Sequence, residues 1–112
     1  MSLPLLYRQP TDADSWRAWT FSHAVNHYDW IGAVAVQKQQ TLAQYQLTPV
    51  DKANFGMFLY NHQTMHNQVN AVLGTTGYDL LSLDLEDEEG FAMWLKLNAD
   101  EHIRISAALG VG

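Results

Sequence analysis

Five histidines stand out in this chain: His23, His27, His62, His66 and His102. Two pairs, 23/27 and 62/66, have the His-x-x-x-His spacing, which stacks both rings on one face of a helix within reach of a single cation. Imidazole is the commonest side-chain ligand for zinc, iron, nickel and copper, and a carboxylate such as Glu101 or Asp29 could complete a shell. The expected site is therefore a buried centre for a divalent transition metal, zinc or iron, built from the five histidines and Glu101. His62-Gln63-Thr64-Met65-His66 places Gln63 where a metalloprotease keeps its general-base glutamate, so protease chemistry is excluded. The competing reading is a network of neutral histidines hydrogen-bonded to Asn26, Asn61, Asn67, Asn70, Tyr28 or Tyr60. A catalytic histidine is disfavoured, because there is no cysteine to activate and Ser22, Ser82 and Ser106 occupy ordinary capping or helical contexts.

The elements that carry these residues are helical. The pattern turns helical at Thr11-Asp12 and runs to about Gln40, with a break expected near Thr20. In this helix His23, His27, Trp30 and Val34 share a face beside Ile31. Residues 41–47 read as loop. Thr48-Pro49-Val50-Asp51 is a helix start, a capping hydroxyl ahead of a proline and an acid. The second helix then runs to Leu73 with a stripe of Phe55, Phe58, Leu59, His62, His66, Val69 and Leu73. Gly74 is the expected left-handed stop. Residues 79–85 should connect, with Leu80, Leu81, Leu83 and Leu85 covering the bundle. Asp84 is expected to cap a third helix that ends at Leu109 before Gly110. Its inward stripe is Phe91, Leu95, Asn98, His102, Ile105 and Leu109, with Glu101 on the flank. All five histidines thus face one interior.

The predicted fold class is all-α, a compact bundle of three long helices. Residues 1–12 form an extended N-terminal arm, because Pro4 and Pro10 forbid a helix through Leu3, Leu5, Leu6 and Tyr7. Residues 13–112 form a single helical domain. This fits 112 residues that are 47% hydrophobic and 16% charged, which excludes a disordered chain. A net charge of -6 argues against nucleic acid, and the absence of cysteine excludes disulfides and zinc ribbons. With no apolar run long enough for a membrane span and no signal-peptide order at the start, a soluble intracellular product without membrane partners is expected. The acidic run Asp84 to Glu89 lacks calcium-loop spacing and suits a helix N-terminus.

The order Asn61-His62-Gln63-Thr64-Met65-His66-Asn67, then Asn70-Ala71-Val72-Leu73-Gly74, Asp79-Leu80, Trp94-Leu95, Glu101-His102 and Ala108-Leu109-Gly110 resembles small proteins encoded by tailed bacteriophages. The resemblance spans about residues 15 to 111 and implies a non-enzymatic virion structural protein of the head-tail junction or tail. It would be made in the bacterial host cytoplasm and contact other phage structural proteins or copies of itself. Abundant Trp and Tyr suit such contacts, as does the apolar arm, expected to dock on a partner, the alternative being a cover over its own bundle. The alternative is a small all-α metal-binding protein or metal-dependent enzyme using the histidine cluster. A third reading is a regulatory phage protein that meets a host factor through its acidic face.

Overall fold

The computed structural model describes residues 6–42 and 52–111, the side chains of 52–58 excepted. Among the described residues three helices make up the fold: α1 (Ala13–Lys38), α2 (Lys52–Leu73) and α3 (Glu88–Leu109). The all-α bundle expected from periodicity is what forms. The stretch 43–51, including the start signal at Thr48–Asp51, lies outside the described residues, as do Leu3, Pro4, Leu5 and the side chains of Phe55 and Phe58.

At the start of α1, Asp12 accepts a hydrogen bond from the Ser15 amide (2.8 Å), and Ser15 Oγ accepts from the Asp12 amide (3.0 Å). This reciprocal capping box satisfies amides that the first turn leaves without partners. The helix is unbroken through Thr20, contrary to the expected interruption. Trp16, Trp19, Thr20, Ser22 and His23 are all buried, and that packing outweighs the weak helix propensity of Thr and Ser.

All three helices run in the same direction. Trp16 meets Phe91, Trp19 meets Trp94, Asn26 meets His102, Trp30 meets Ser106 and Gln37 meets Leu109, so contacts climb α1 and α3 together. His62 beside Trp94, His66 bonded to Glu101 and Asn70 to Arg104 show the same order for α2 and α3. The connection from α2 to α3 must therefore return the length of the bundle. Residues 74–87 do this beyond Gly74, whose positive φ of 71° is the left-handed stop. The segment descends along α2, with the Leu80 amide donating to Gln63 Oε1 (2.9 Å). Leu80 is buried and Leu83 and Leu85 pack against the core, but Leu81 is exposed, so the expected leucine cover is partial.

Asp87, not Asp84, caps α3: its carboxylate accepts from the Gly90 amide. Asp84 instead accepts from the Glu86 and Asp87 amides, one turn earlier, and its carbonyl lies against Gly90. A side chain at Gly90 would collide with that backbone oxygen.

The described part of the arm folds on its own chain. Leu6 is fully buried within a short 3-10 turn and its carbonyl accepts from Trp19 Nε1 (3.2 Å). Tyr7 donates to the Asp100 carboxylate, and this hydrogen bond is the main reason the phenol is pushed up to about 12.

Gly90→Ala should lower stability by about 1–3 kcal/mol, as overpacking against an immovable atom does. Gly32→Ala, on an exposed helical position with open space around the new methyl, should be neutral or gain up to about 1 kcal/mol. Thermal melts of the two variants check this, and the opposite ranking would contradict the packing described.

Candidate metal centre

The five histidines converge. His23 and His27 on α1, His62 and His66 on α2 and His102 on α3 each offer a ring nitrogen, and these five atoms lie within 4.8 Å of one another. All five residues are at most 1% exposed. The helices' common direction places the two four-residue pairs at matching heights, so His23 faces His62 and His27 faces His66. Aromatic rings close the layer from both sides. Trp19 stacks on His23 (4.6 Å between centroids) and Trp94 lies by His62 (5.4 Å), while Trp30 packs on His27, His66 and His102.

Outer hydrogen bonds set the orientation of two rings. His66 Nδ1 lies 2.9 Å from Glu101 Oε1, and His102 Nδ1 lies 2.7 Å from Asn26 Oδ1. Both partners are acceptors, so Nδ1 donates and Nε2 carries the lone pair. In each ring that Nε2 is buried without a hydrogen-bond partner. Carboxylate–histidine pairs of this kind commonly orient a metal ligand and raise its basicity. His23 Nε2 and His62 Nε2 stand 3.1 Å apart, close to the ~3.3 Å between two nitrogens bound to one tetrahedral ion. His27 has no hydrogen-bond partner at either ring nitrogen.

Glu101, expected as a ligand, is placed one layer further out. Its Oε1 accepts from His66 and Asn70 (2.8 Å), and its Oε2 accepts from the Tyr78 amide (2.9 Å). Asp29 is exposed and plays no part. Among the suggested network partners, Asn26 and Asn70 are buried and engaged, whereas Asn67, Tyr28 and Tyr60 are exposed. Two further contributors were not singled out by spacing. Ser106 Oγ accepts from Trp30 Nε1 (3.0 Å) and Asn26 Nδ2 (2.9 Å), bracing the Asn26–His102 bond. Gln63 pins the returning segment through Leu80 and the Tyr78 carbonyl. Ser106 lies four residues beyond His102, one helical turn along the same face, which is the signal that marks it.

Burial dominates the electrostatics. It pushes His23, His27, His62 and His102 well below the ordinary histidine value, and mutual repulsion adds to the effect. His66 is lowered by burial too, with Glu101 pulling it back upward. For Glu101 burial acts upward but is outweighed by the hydrogen bond and charge of His66, the Tyr78 amide and Asn70, which hold the carboxyl below its usual value. At neutral pH the cluster is a set of uncharged nitrogen donors beside one carboxylate.

No family model, curated protein or solved structure matches this chain. Among the described residues no helix is long and apolar enough to cross a membrane.

The metal-free protein should lose stability in acid. Each histidine has a folded pKa below its unfolded value of about 6.5, so its contribution is complete above that pH and declines as pH falls below it. Glu101, depressed below 4.5, acts in the same direction at lower pH. Melting temperatures followed from pH 8 to 5 should fall continuously below about 6.5. A flat profile would mean that the rings titrate freely in solvent.

Proposed function

We propose that this protein binds one divalent transition-metal ion inside its three-helix bundle, with zinc and iron in the class of ions considered. The observation that carries this reading is His27, a buried imidazole whose two nitrogens have no hydrogen-bond partner and whose ring lies among four other imidazoles. Leaving one such polar group unsatisfied costs about 1–3 kcal/mol. Coordination to an ion removes that penalty for a nitrogen that carries a lone pair. The inward Nε2 atoms of His66 and His102 support the same reading, because each ring is already held from outside by an acceptor. Since the rings are sealed from solvent, a retained ion that stabilises or completes the fold is favoured over one offered to a substrate.

Titration of the metal-stripped protein should give one ion per chain and a higher melting temperature. At free ion 100-fold above Kd the gain is about 2.7 kcal/mol. His62→Ala should abolish most of that gain, whereas Tyr60→Ala, at an exposed position, should keep it. If zinc, iron, nickel and cobalt all leave the melting temperature unchanged, a hydrogen-bonded histidine network is the better account.

A second proposal keeps the multi-copy assembly role implied by the resemblance to phage proteins. Its supporting observation is the outward face of α1, where Phe21, Val25, Tyr28 and Val36 follow helical spacing with Gly32 and Ala35 between them and the exposed Asp29 at the edge of the row. Phe21 is 71% and Val36 82% exposed. A helix that is apolar on all sides is ordinarily covered, and a row of this kind suits contact with another copy or another virion subunit. Phe21→Asp combined with Tyr28→Asp should convert assembled protein to monomer in sedimentation analysis, with monomer stability changed by no more than about 0.5 kcal/mol. A wild-type chain that stays monomeric at all concentrations and enters no particle would sink this reading.

A further inference from the structure

The donor set narrows the kind of ion. Around one ion with bonds of about 2.1 Å, nitrogens at right angles stand ~3.0 Å apart, tetrahedral neighbours ~3.4 Å and opposite ligands ~4.2 Å. All five nitrogens lie within 4.8 Å of one another, about 0.6 Å beyond the ~4.2 Å of opposite ligands, so a small inward shift of the most distant rings brings the set to the span of a single ion. Two ions do not fit, because dinuclear centres keep their metals about 3.5–4 Å apart. Nor is a carboxylate available to bridge them, since both Glu101 oxygens are engaged by His66, Asn70 and Tyr78.

Five ligands are one more than a structural zinc site takes, since zinc in such sites is almost always tetrahedral. The excess falls on His27. His66 and His102 are aimed by Glu101 and Asn26, and His23 and His62 face each other through Nε2. The His27 ring centroid lies 4.5–5.3 Å from those of the other four, and its position is set by packing on Trp30. A four-coordinate ion would leave one ring of the cluster outside its shell, and for His27 that means burial with neither nitrogen satisfied. An ion that accepts a fifth ligand takes it in.

Resting on the metal reading above, we propose that the cluster is a mononuclear five-imidazole centre, selective for divalent ions that accept five or six ligands over four-coordinate zinc. The class comprises iron(II), cobalt(II), nickel(II) and copper(II), which nitrogen donors suit. Nickel(II) and cobalt(II) are convenient probes of it.

The test uses the full chain, unfolded in chelator and refolded with one equivalent of cobalt(II), nickel(II) or zinc(II). The cobalt protein should show the weak visible bands of a five- or six-coordinate ion, and nickel should outcompete equimolar zinc at least tenfold. Intense four-coordinate cobalt bands, or a zinc preference, would overturn the five-ligand centre while leaving the metal reading intact. Failure to bind any of the three ions would remove both. His27→Gln should shift the cobalt spectrum to four-coordinate intensity and erase the nickel preference, and an unchanged spectrum would overturn the assignment of His27. Should that variant not fold, X-ray absorption on the wild-type nickel protein decides by counting its nitrogen neighbours, five supporting the proposal and four overturning it.

Discussion

The constraint on which this fold turns is the burial of five uncharged imidazoles in one layer. A neutral histidine must place a donor and an acceptor, and an interior of closely packed rings offers few partners for either. Asn26, Glu101, Asn70 and Ser106 are recruited from all three helices to hold the rings that can be reached from outside. The tryptophans above and below contribute mass and flat surface, keeping water from nitrogens that face inward. What remains at the centre is the His23–His62 contact and the inward Nε2 atoms of His66 and His102, beside a His27 ring with neither nitrogen hydrogen-bonded.

The common direction of the helices sets which rings of the cluster meet. With α1 and α2 rising together His23 comes level with His62 and His27 with His66, and His102 enters from α3 against both α1 histidines and His66. Parallel helices align their dipoles unfavourably and demand long returns. Residues 74–87 have an extended reach of about 45 Å, enough to span the roughly 33 Å of α2. The return is put to use: the Tyr78 amide completes the shell of Glu101, and Gln63 holds Leu80 in place. A Cβ at Gly77 would meet Asn70 and Glu101, so the absence of a side chain there lets the segment lie directly over the carboxylate.

Much of this was legible in the sequence. Stripes at three- and four-residue spacing identified three helices and turned all five histidines inward, because each ring sits in register with apolar neighbours such as Val69 and Ile105. Gly74 and Gly110 marked helix ends where a left-handed residue is needed. The direction of α3 was not legible, since periodicity is the same whichever way a helix points. The Asp84 expectation failed for a local reason: four acids in succession offer several caps, and the fit of Gly90 beneath the Asp84 carbonyl selects Asp87. Glu101 was expected among the ligands; that it stands one layer out, bonded to His66, depends on Asn70 and the Tyr78 amide, which arrive from elsewhere in the chain. The burial of Ser106 depends likewise on Trp30 and Asn26 across the bundle.

Glu101 also sets the histidine cluster apart from a carboxylate-rich metal bundle. A carboxylate bound directly to an ion cancels charge at the metal, and it can shift between one and two ions. Here the only buried carboxylate among the described residues acts through the His66 ring, so its charge reaches the cluster as added basicity at one nitrogen and not as a bond. Five neutral donors favour ions for which nitrogen is the better ligand and offer little to hard, oxygen-seeking cations such as magnesium or calcium. On the metal reading proposed above, selectivity against those abundant ions would rest on the choice of histidine, and the position of Glu101 one layer out would preserve it.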